Sequence, residues 1–318
     1  MKIGQLYNIP SFQRFMDSGK KRGFADSYAG TVLSRWLTAI DPTILEAKYP
    51  ELTFLNSGIQ ADNTGGYAKR IQTLRVREQG SFRTAGDSSS EKGKISLAAE
   101  DSTLKVISRE AESEWSEDEV REAELQNINL PSRYVTNHNR IYQREVDEIG
   151  YLGIEGNDGL ANHSEPNSAS SSGTAGSLDG DVLYNDIAGL ITDQWNDVNN
   201  TAEYMANRVD MPIRVYNVAS ATFLDTRGGV RTVLSALQLN FPNVTFQGSF
   251  RLDADLLQAS TTIAYNNSPE AMKMRLPVPL TVGEIVRITS FKYHVESHYR
   301  IAGLDLFEPR AVRYLTGL

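Results

Sequence analysis

The few residues that could do chemistry in this chain are four histidines, and it contains no cysteine. Disulfides and thiolate catalysis are therefore excluded. His294 and His298 are four residues apart, a spacing that would place two metal ligands on one face of a helix. Their surroundings, ITSFKYHVESHYRIAG, indicate strand and turn instead, and the inner Glu of an HExxH motif is missing. We therefore predict no metal site.

Other catalytic patterns are also incomplete. Gly93-Lys94 resembles the end of a phosphate-binding loop, but Ser88 stands where that loop needs a glycine and Ile95 where it needs Ser or Thr. The sequence has no G-x-S-x-G motif. Carboxylate pairs are too common in an acidic chain to indicate a glycosidase dyad. The sequence thus predicts no catalytic residues, no cofactor and no enzyme.

Composition indicates a folded protein that is not built to coat nucleic acid. The 318 residues are 40% hydrophobic and carry a net charge of −8, whereas neutralising phosphates requires surplus Lys and Arg. The N-terminal MKIGQLYNIPSFQRF has no apolar run typical of a secretory signal. No segment approaches the roughly 20 apolar residues of a membrane span. We therefore expect a cytoplasmic location and no membrane contact.

Residues 64–112 are predicted to form a long β-hairpin. Ile71, Leu74 and Val76 mark its first strand, and Leu104 and Val106 its second. The sequence between them, GSFRTAGDSSSEKGK, is rich in Gly and Ser and lacks aliphatic residues. Because an isolated hairpin is marginally stable in water, we expect it to pack on its own domain or on a neighbouring copy.

Opposite charges follow each other along this region. Residues 64–94 carry a surplus of four positive charges, whereas residues 110–124 hold eight acids and one base. Ser116 and Glu119 have the spacing of a capping box, which predicts a helix start. These acids either belong to a solvated helix start or form an acidic surface that binds a basic surface. The predicted inter-subunit contact residues are Arg70, Arg75, Arg77, Arg83, Lys92, Lys94, Glu112, Glu114, Glu117 and Glu119.

Helices and strands are mixed along the chain, which predicts an α+β fold. Asp26 can cap an early helix that ends at Asp41-Pro42, and Pro131 begins a helix of about 20 residues that Gly150 and Gly153 stop. Its apolar face contains Val135, Tyr142, Val146 and Ile149. The remaining predictions are an exposed loop at 155–181, helices at 183–208 and 230–239, and strands at 213–215, 262–265, 276–280, 286–291 and 304–307.

Three segments, in this order, resemble the major capsid protein of tailed bacteriophages with the Hong Kong 97 fold. Trp115 to Ile149, followed by Gly150-Tyr-Leu-Gly153 and Gly159-Leu-Ala-Asn162, is similar to that family's spine-helix region. Pro212 to Pro242 resembles its strand, helix and short loop. Tyr299-Arg-Ile-Ala-Gly303 through Glu308-Pro309-Arg-Ala-Val312 resembles its closing strands.

The resemblance implies a Hong Kong 97-like capsid fold. Its parts would be an N-terminal arm (1–60), an extended loop (61–112), a peripheral domain with the spine helix (113–180), a mainly axial domain (181–285) and C-terminal strands that return to the core (286–318). A loop at 163–180 that looks longer than usual is a departure from the family pattern.

The same resemblance implies a structural subunit that assembles with itself. Hexamers and pentamers would form the icosahedral head around viral double-stranded DNA, with weak DNA contact. Expected partners are a separate scaffolding protein, a portal and a decoration or cement protein. Assembly in the host cytoplasm would place the protein in the virion capsid. The alternatives are an encapsulin-like compartment shell, a hydrolase with a lid hairpin, and a virion decoration or adhesion protein.

Overall fold

The computed structural model describes residues 50–82, 94–125, 128–172, 179–224, 231–257 and 259–318. The early helix predicted between Asp26 and Asp41 lies outside these ranges. The α-helices are α1 (Glu117–Glu124), α2 (Leu130–Leu152), α3 (Gly180–Asp197), α4 (Ile213–Ala221) and α5 (Val233–Asn240). The first seven strands are β1 (Ala61–Asp62), β2 (Arg70–Gly80), β3 (Ile95–Lys105), β4 (Ile107–Ser116), β5 (Asn167–Ser170), β6 (Arg208–Pro212) and β7 (Thr245–Ser249). The other seven are β8 (Thr261–Tyr265), β9 (Met272–Arg275), β10 (Val278–Val282), β11 (Val286–Thr289), β12 (Lys292–Ile301), β13 (Gly303–Leu306) and β14 (Val312–Thr316).

A five-stranded sheet, in the order β5-β14-β8-β6-β7, separates two hydrophobic cores. Successive side chains of a strand point to opposite faces, and every residue of β8 is buried. Ile263 and Tyr265 accordingly belong to the core around α2, whereas Ala264 belongs to the core around α3, α4 and α5. Burial on both faces explains the continuous apolar run predicted as a strand at 262–265.

Helix α2 is the long helix that the sequence predicts after the acidic segment. Asn129 caps it by accepting a hydrogen bond from Ser132 N, and Gly153 ends it with a positive φ of 76°. Val146 and Ile149 of the predicted apolar face are buried. The prediction that Gly150 stops the helix is wrong. Gly150 lies inside α2, where an added Cβ would come within 2.4 Å of the Phe54 ring, so this glycine permits close packing.

The acidic segment is a strand before it is a helix. Glu110, Glu112 and Glu114 lie on β4, which pairs with β12 along its whole length. The prediction of a helix start over 110–124 is therefore wrong up to Ser116 and correct from Glu117. The capping box is confirmed: Ser116 Oγ accepts from Glu119 N, and the Glu119 carboxylate accepts from Ser116 N. β10 and β11 pair with the other edge of β12 and complete the long sheet.

Three further predictions are corrected. Residues 213–215 begin helix α4 rather than a strand, because Val215 and Ala219 are buried at helical spacing; the strand is β6, just before them. The predicted loop at 155–181 contains β5, which pairs in parallel with β14. The helix predicted over 183–208 ends at Asp197. A three-residue apolar alternation cannot distinguish a strand from a helix start.

The hairpin is confirmed, with β2 and β3 paired antiparallel from Arg70↔Lys105 to Gly80↔Ile95. The sequence that links the strands at 83–93 lies outside the described residues. Val106, predicted in the second strand, is buried between β3 and β4. β1, β9 and β13 form a small sheet next to the base of the hairpin.

Candidate inter-subunit surface

The inner face of the hairpin, defined by Thr73 and Arg75, is fixed to its own chain. Thr73 Oγ1 donates to Asp305 Oδ2 at 2.8 Å. The Arg75 guanidinium donates to Leu306 O and lies 3.4 Å from Glu165 Oε2. Only 13% of the Arg75 side chain is exposed. Its charge is therefore engaged within the chain, a role that sequence analysis did not foresee.

Arg275 reinforces this attachment below the hairpin. It donates to Asp305 at 2.9 Å, to Thr73 Oγ1 at 3.2 Å and to Asp62. A hydrogen bond from the Thr64 hydroxyl, with a smaller contribution from Arg275, lowers the pKa of Asp62. These charge-assisted hydrogen bonds are stronger than neutral ones and hold the base of β2 against β9 and β13.

The outer face of the hairpin carries an apolar strip, which we define as Leu74, Val76, Ile95 and Leu97. Side chains of directly paired residues share a face, and the register places Val76 opposite Ala99 and Leu97 opposite Glu78. Every member of the strip is more than half exposed, and Leu97 reaches 69%. A strip of this kind marks a contact surface more often than a solvated one. The alternation Ile95-Ser-Leu97-Ala-Ala99 is the sequence signal that could have revealed it.

The predicted basic residues are distributed unevenly on this hairpin. Arg70 begins β2 and Lys94 precedes β3, and both are exposed. Arg83 and Lys92 lie outside the described residues, as does the side chain of Arg77. Apart from Arg75, the described bases of this set are thus open to a partner.

The predicted acids lie on the long sheet and at the start of α1. Glu112 and Glu114 are exposed, and β12 sets Glu296 opposite Glu112 and His294 opposite Glu114. Like charges placed directly opposite each other are destabilising. Glu117 is paired with Arg121 at 2.6 Å and lies 3.6 Å from Arg287, and Glu119 closes the capping box. Glu112 and Glu114 are therefore the acids best placed for an external base.

The other face of the long sheet packs on α2. His138, which is 6% exposed, lies 2.8 Å from Ser113 Oγ and 2.6 Å from Ser297 Oγ, so it links α2 to both β4 and β12. Trp115 stacks on Tyr134 with ring centroids 4.9 Å apart. A cleft of about 250 Å³ lies beside these contacts. These interactions fix the acidic strand to the long helix.

A buried polar network connects α2 to the five-stranded sheet. Tyr151 and Tyr265 donate their hydroxyls to Asp210 Oδ2 at 2.7 and 2.9 Å. Burial raises the pKa of Asp210, and the two tyrosine hydrogen bonds oppose that shift. Burial and the Asp210 charge hold the pKa of both tyrosines well above the ordinary range. The network joins the two cores, and none of its three residues lines the cleft beside His138.

The described residues contain no group of three or more His, Asp or Glu side chains arranged to hold a metal ion. His294 and His298 lie on strand β12, as their surrounding sequence predicts, and not on a helix. Within the same ranges, no helix combines the length and apolar composition that crossing a membrane requires.

The glycine turn after α2 is built by asparagine side chains. Asn162 Oδ1 accepts from Gly159 N at 2.7 Å, and its amide donates to Leu152 O. Asn157 donates to Lys105 O and Ala302 O, at 2.8 and 2.6 Å. The turn thus joins the end of α2 to the base of the hairpin and to the start of β13.

The paired hairpin strands, a long helix backed by a sheet, and a separate three-helix core define an α+β protein. The family model for the major capsid protein matches residues 83–318. The capsid of Myoviridae phage XM1 is 42% identical with a TM-score of 0.81, over 89% of this chain and 98% of that chain. No curated protein matches the chain. The chain belongs to the major capsid protein family.

More distant structures share the fold. The capsid of a native GTA particle is 12% identical with a TM-score of 0.64, over 87% of this chain and 95% of that chain. A structure from Mycobacterium phage Ogopogo is 10% identical with a TM-score of 0.61, over 90% and 98%. The protein therefore has the Hong Kong 97-type fold and is a structural protein of a phage capsid, which assembles with itself into the shell of the virion. The compartment-shell and hydrolase alternatives receive no support.

Proposed function

We propose that this chain forms hexamers and pentamers, and that these close an icosahedral head around viral double-stranded DNA. The observation that carries the proposal is the 42% identity to a phage capsid over 89% of the chain. The anchored hairpin with an exposed apolar face also supports it, because an exposed apolar surface of this kind marks a site of interaction with another protein. In this proposal the protein has no catalytic activity.

We propose five parts for the chain. The N-terminal arm comprises residues up to about 49, because Phe54 is buried against α2. The extended loop comprises 61–106, the peripheral domain comprises α1, α2 and the long sheet, and the axial domain is built mainly from 181–257. The closing strands at 286–318 return to both cores. Compared with the ranges predicted from the sequence, β4 moves into the peripheral domain because it pairs with β12.

We propose that its partners are further copies, a separate scaffolding protein, a portal, and a decoration or cement protein. Assembly would take place in the host cytoplasm. The net charge of −8 supports a weak contact with packaged DNA, since an acidic protein repels phosphate.

We propose that charged contacts between copies include the exposed bases at the two ends of the described hairpin strands, Arg70 and Lys94, and the exposed acids Glu112 and Glu114. Arg77, Arg83 and Lys92 remain candidates on the hairpin, and Glu117 and Glu119 at the start of α1. Arg75 is the least favoured candidate, because its guanidinium is held by Leu306 O and Glu165. Complementary charges of this type set the register and encounter rate of subunits more than their affinity.

Electron microscopy of particles formed by the full chain tests the assembly. The expected result is closed shells whose reconstruction resolves capsomers of five and six subunits, with particles from infected cells containing DNA. Co-expression with the scaffolding protein covers the case in which the chain alone assembles poorly. Shells built of one capsomer type, or a chain that stays monomeric with its scaffold, would contradict the proposal.

A further inference from the structure

Strand β4 lies at one edge of the long sheet. It pairs with β12 in a regular register from end to end, and among the described strands nothing pairs with its other side. Ser108, Glu110, Glu112 and Glu114 are all exposed. A long, regular and uncovered edge strand offers its main-chain groups to a strand from another chain.

The hydrogen bonds at the end of this ladder show which residues of β4 face the open edge. Glu117 N donates to Phe291 O at 2.9 Å, which continues the register of the β4–β12 pairs. Bonded and non-bonded pairs alternate along an antiparallel ladder. The odd-numbered residues of β4 therefore bond to β12, and the even-numbered residues turn their N–H and C=O groups outward. Ser116 agrees with this pattern, because its N–H donates to the Glu119 carboxylate and not to β12.

Carboxylates line one face of the open edge. Glu110, Glu112 and Glu114, which we define as the carboxylate row, alternate along β4 at a spacing of roughly 7 Å. The residues opposite them on β12 are His298, Glu296 and His294. Of these, Glu296 lies 3.4 Å from His294 Nε2. The face beside the open edge is therefore acidic over the whole carboxylate row.

The bases closest to the carboxylate row lie beyond its two ends. Arg300, at one end of β12, donates to two backbone carbonyls that precede β2. Lys292 lies at the other end of β12. Arg121 and Arg287 are 2.6 and 3.6 Å from Glu117. In the part of the chain that the structure describes, no Lys or Arg forms an ion pair with the carboxylate row.

The other face of β4 borders the cleft beside His138. This cleft of about 250 Å³ is lined by the consecutive residues 109–113. Because residues from both faces of β4 line it, the cleft reaches the open edge. The large side chains that α2 contributes are Tyr134, Ile141 and Tyr142. Arg109 and Glu145 are the charged residues on this side of β4, and Ile141 is 51% exposed. The cleft thus has room for apolar side chains of an added strand.

We propose that the open edge of β4 binds an extended segment of a different protein, in which Lys or Arg alternates with apolar residues. The main chain of this segment pairs with residues 108–114 as an added strand. Its basic side chains face the carboxylate row, and the apolar side chains between them enter the cleft. This inference goes beyond the proposed assembly, because it assigns a binding site for a second protein to the single chain.

A further copy of this chain fits the open edge poorly. Two β4 edges would bring their carboxylate rows together, and like charges placed opposite each other are destabilising. The sequence also has no stretch with bases at three alternate positions, which is the pattern that matches the carboxylate row. Since Glu112 and Glu114 are also proposed for a charged contact between copies, the added strand would compete with that contact for the same carboxylates.

Binding of a synthetic peptide to the unassembled full chain tests the site. The probe is the capped, dye-labelled peptide Lys-Val-Lys-Leu-Lys-Val-Lys, which matches the length of residues 108–114, and fluorescence anisotropy measures its Kd. We expect saturable binding, and affinity lower by about tenfold or more for a peptide of the same composition with consecutive lysines. Equal affinities, or no saturable binding of the alternating peptide, would overturn the proposal. Neither result depends on whether the chain forms closed shells.

Methylation of the peptide backbone distinguishes an added strand from simple charge attraction. Only alternate N–H groups of an added strand point towards its neighbour. One peptide is methylated at the nitrogens of its lysines and a second at those of its apolar residues. One of the two should lose binding, and the other should bind nearly as well as the parent peptide. Equal binding of the two methylated peptides would contradict pairing with the edge of β4.

Glu112→Pro and Glu112→Ala form a matched pair of variants of the chain. Both remove the carboxylate, but only proline removes the outward N–H, and an edge strand tolerates proline where that N–H faces solvent. Glu112→Pro should bind the alternating peptide at least about fivefold more weakly than Glu112→Ala, because a main-chain hydrogen bond is lost. Thermal unfolding checks that both variants are folded, and equal affinities of the folded variants would rule out main-chain pairing at β4. If Glu112→Pro failed to fold, the methylated peptides, which leave the chain unchanged, would decide.

Discussion

Asp210 shows how a single buried carboxylate ties the two cores together. It has no solvent exposure, and its Oδ2 accepts from Tyr151 on α2 and Tyr265 on β8. Burial is the largest influence on it and raises its pKa in the folded state. A carboxyl with a raised folded-state pKa favours the protonated form, so folding is more favourable when Asp210 binds a proton.

Replacing Asp210 with Asn should therefore change the pH dependence of stability. The relevant pH window runs from the raised pKa of Asp210 in the folded state down to the ordinary aspartate pKa of 3.8. As pH falls through this window, protonation of Asp210 stabilises the folded wild-type chain. Asp210→Asn cannot gain this stabilisation. The difference between the free energies of unfolding of the wild type and of the variant should therefore become larger, in favour of the wild type, as pH falls through this window. Urea denaturation of unassembled protein at several pH values measures it. A difference that stays constant with pH would contradict the prediction, and Tyr265→Phe serves as a control that keeps the carboxylate.

The sequence predicted contacts between residues that are close together in the chain, and it did not predict contacts between residues that are far apart in the chain. The capping box of Ser116 and Glu119 depends on residues three apart, so the pattern is visible in the sequence. Arg75 was predicted to face another copy, but its partners Glu165 and Leu306 are 90 and 231 residues away in the chain. No spacing rule connects such residues, because the fold alone brings them together.

Helix α2 contains one glycine, Gly150, and close packing against Phe54 requires it. An added Cβ at Gly150 would meet the Phe54 ring at 2.4 Å. Gly150→Ala should destabilise the chain by about 1–3 kcal/mol through overpacking, despite the gain of roughly 0.5–1 kcal/mol from alanine in a helix. Thermal or urea unfolding of unassembled protein measures this change.

Gly189→Ala is the matched control for that prediction. Gly189 lies inside α3 with no atom near its missing Cβ, so the same substitution should stabilise by about 0.5–1 kcal/mol. Adding Phe54→Leu to Gly150→Ala should recover part of the loss. If both glycine variants shifted stability in the same direction, steric contact with Phe54 would not be the reason for Gly150.

Helices and strands with a long or continuous apolar pattern were predictable from the sequence, whereas short or largely polar ones were not. The apolar spacing from Val135 to Ile149 predicted α2, and the buried run at 262–265 predicted β8. Residues 110–116 of β4 were interpreted as part of a helix start because a capping signal follows them directly. Yet Glu110, Glu112 and Glu114 alternate with less charged residues, which is the period of a strand with one solvated face.

The overall fold was more predictable from the sequence than the individual elements. The order of hairpin, long helix, glycine turn and mixed domain stays the same even when single elements are assigned wrongly. Moving residues 110–116 from a helix start to strand β4 leaves that order unchanged. The direction in which the hairpin displays its charges could not be predicted, since it depends on which face of β2 packs on β13. The anchored inner face leaves Arg70 and Lys94 as exposed bases on the hairpin that carries the apolar strip.

Assembly should therefore respond to charge reversal at these exposed positions. Arg70→Glu together with Lys94→Glu should reduce the yield of closed shells, and adding Glu112→Lys with Glu114→Lys in the same chain should restore part of it. Each exposed pair is worth only about 0–1 kcal/mol, but a shell repeats the contact in every subunit. Sedimentation and electron microscopy of assembly reactions measure the yield.

Salt gives an independent measurement of the same contact. Exposed charges are screened over about 8–10 Å at ionic strengths near 0.1 M, so the yield of wild-type shells should fall as salt rises. The charge-reversed pair should lose its residual salt dependence, and the fourfold variant should regain it. If shell yields did not depend on salt and the fourfold variant gave no rescue, the charged contact would be ruled out, and Glu112 and Glu114 would belong to a solvated face of the sheet.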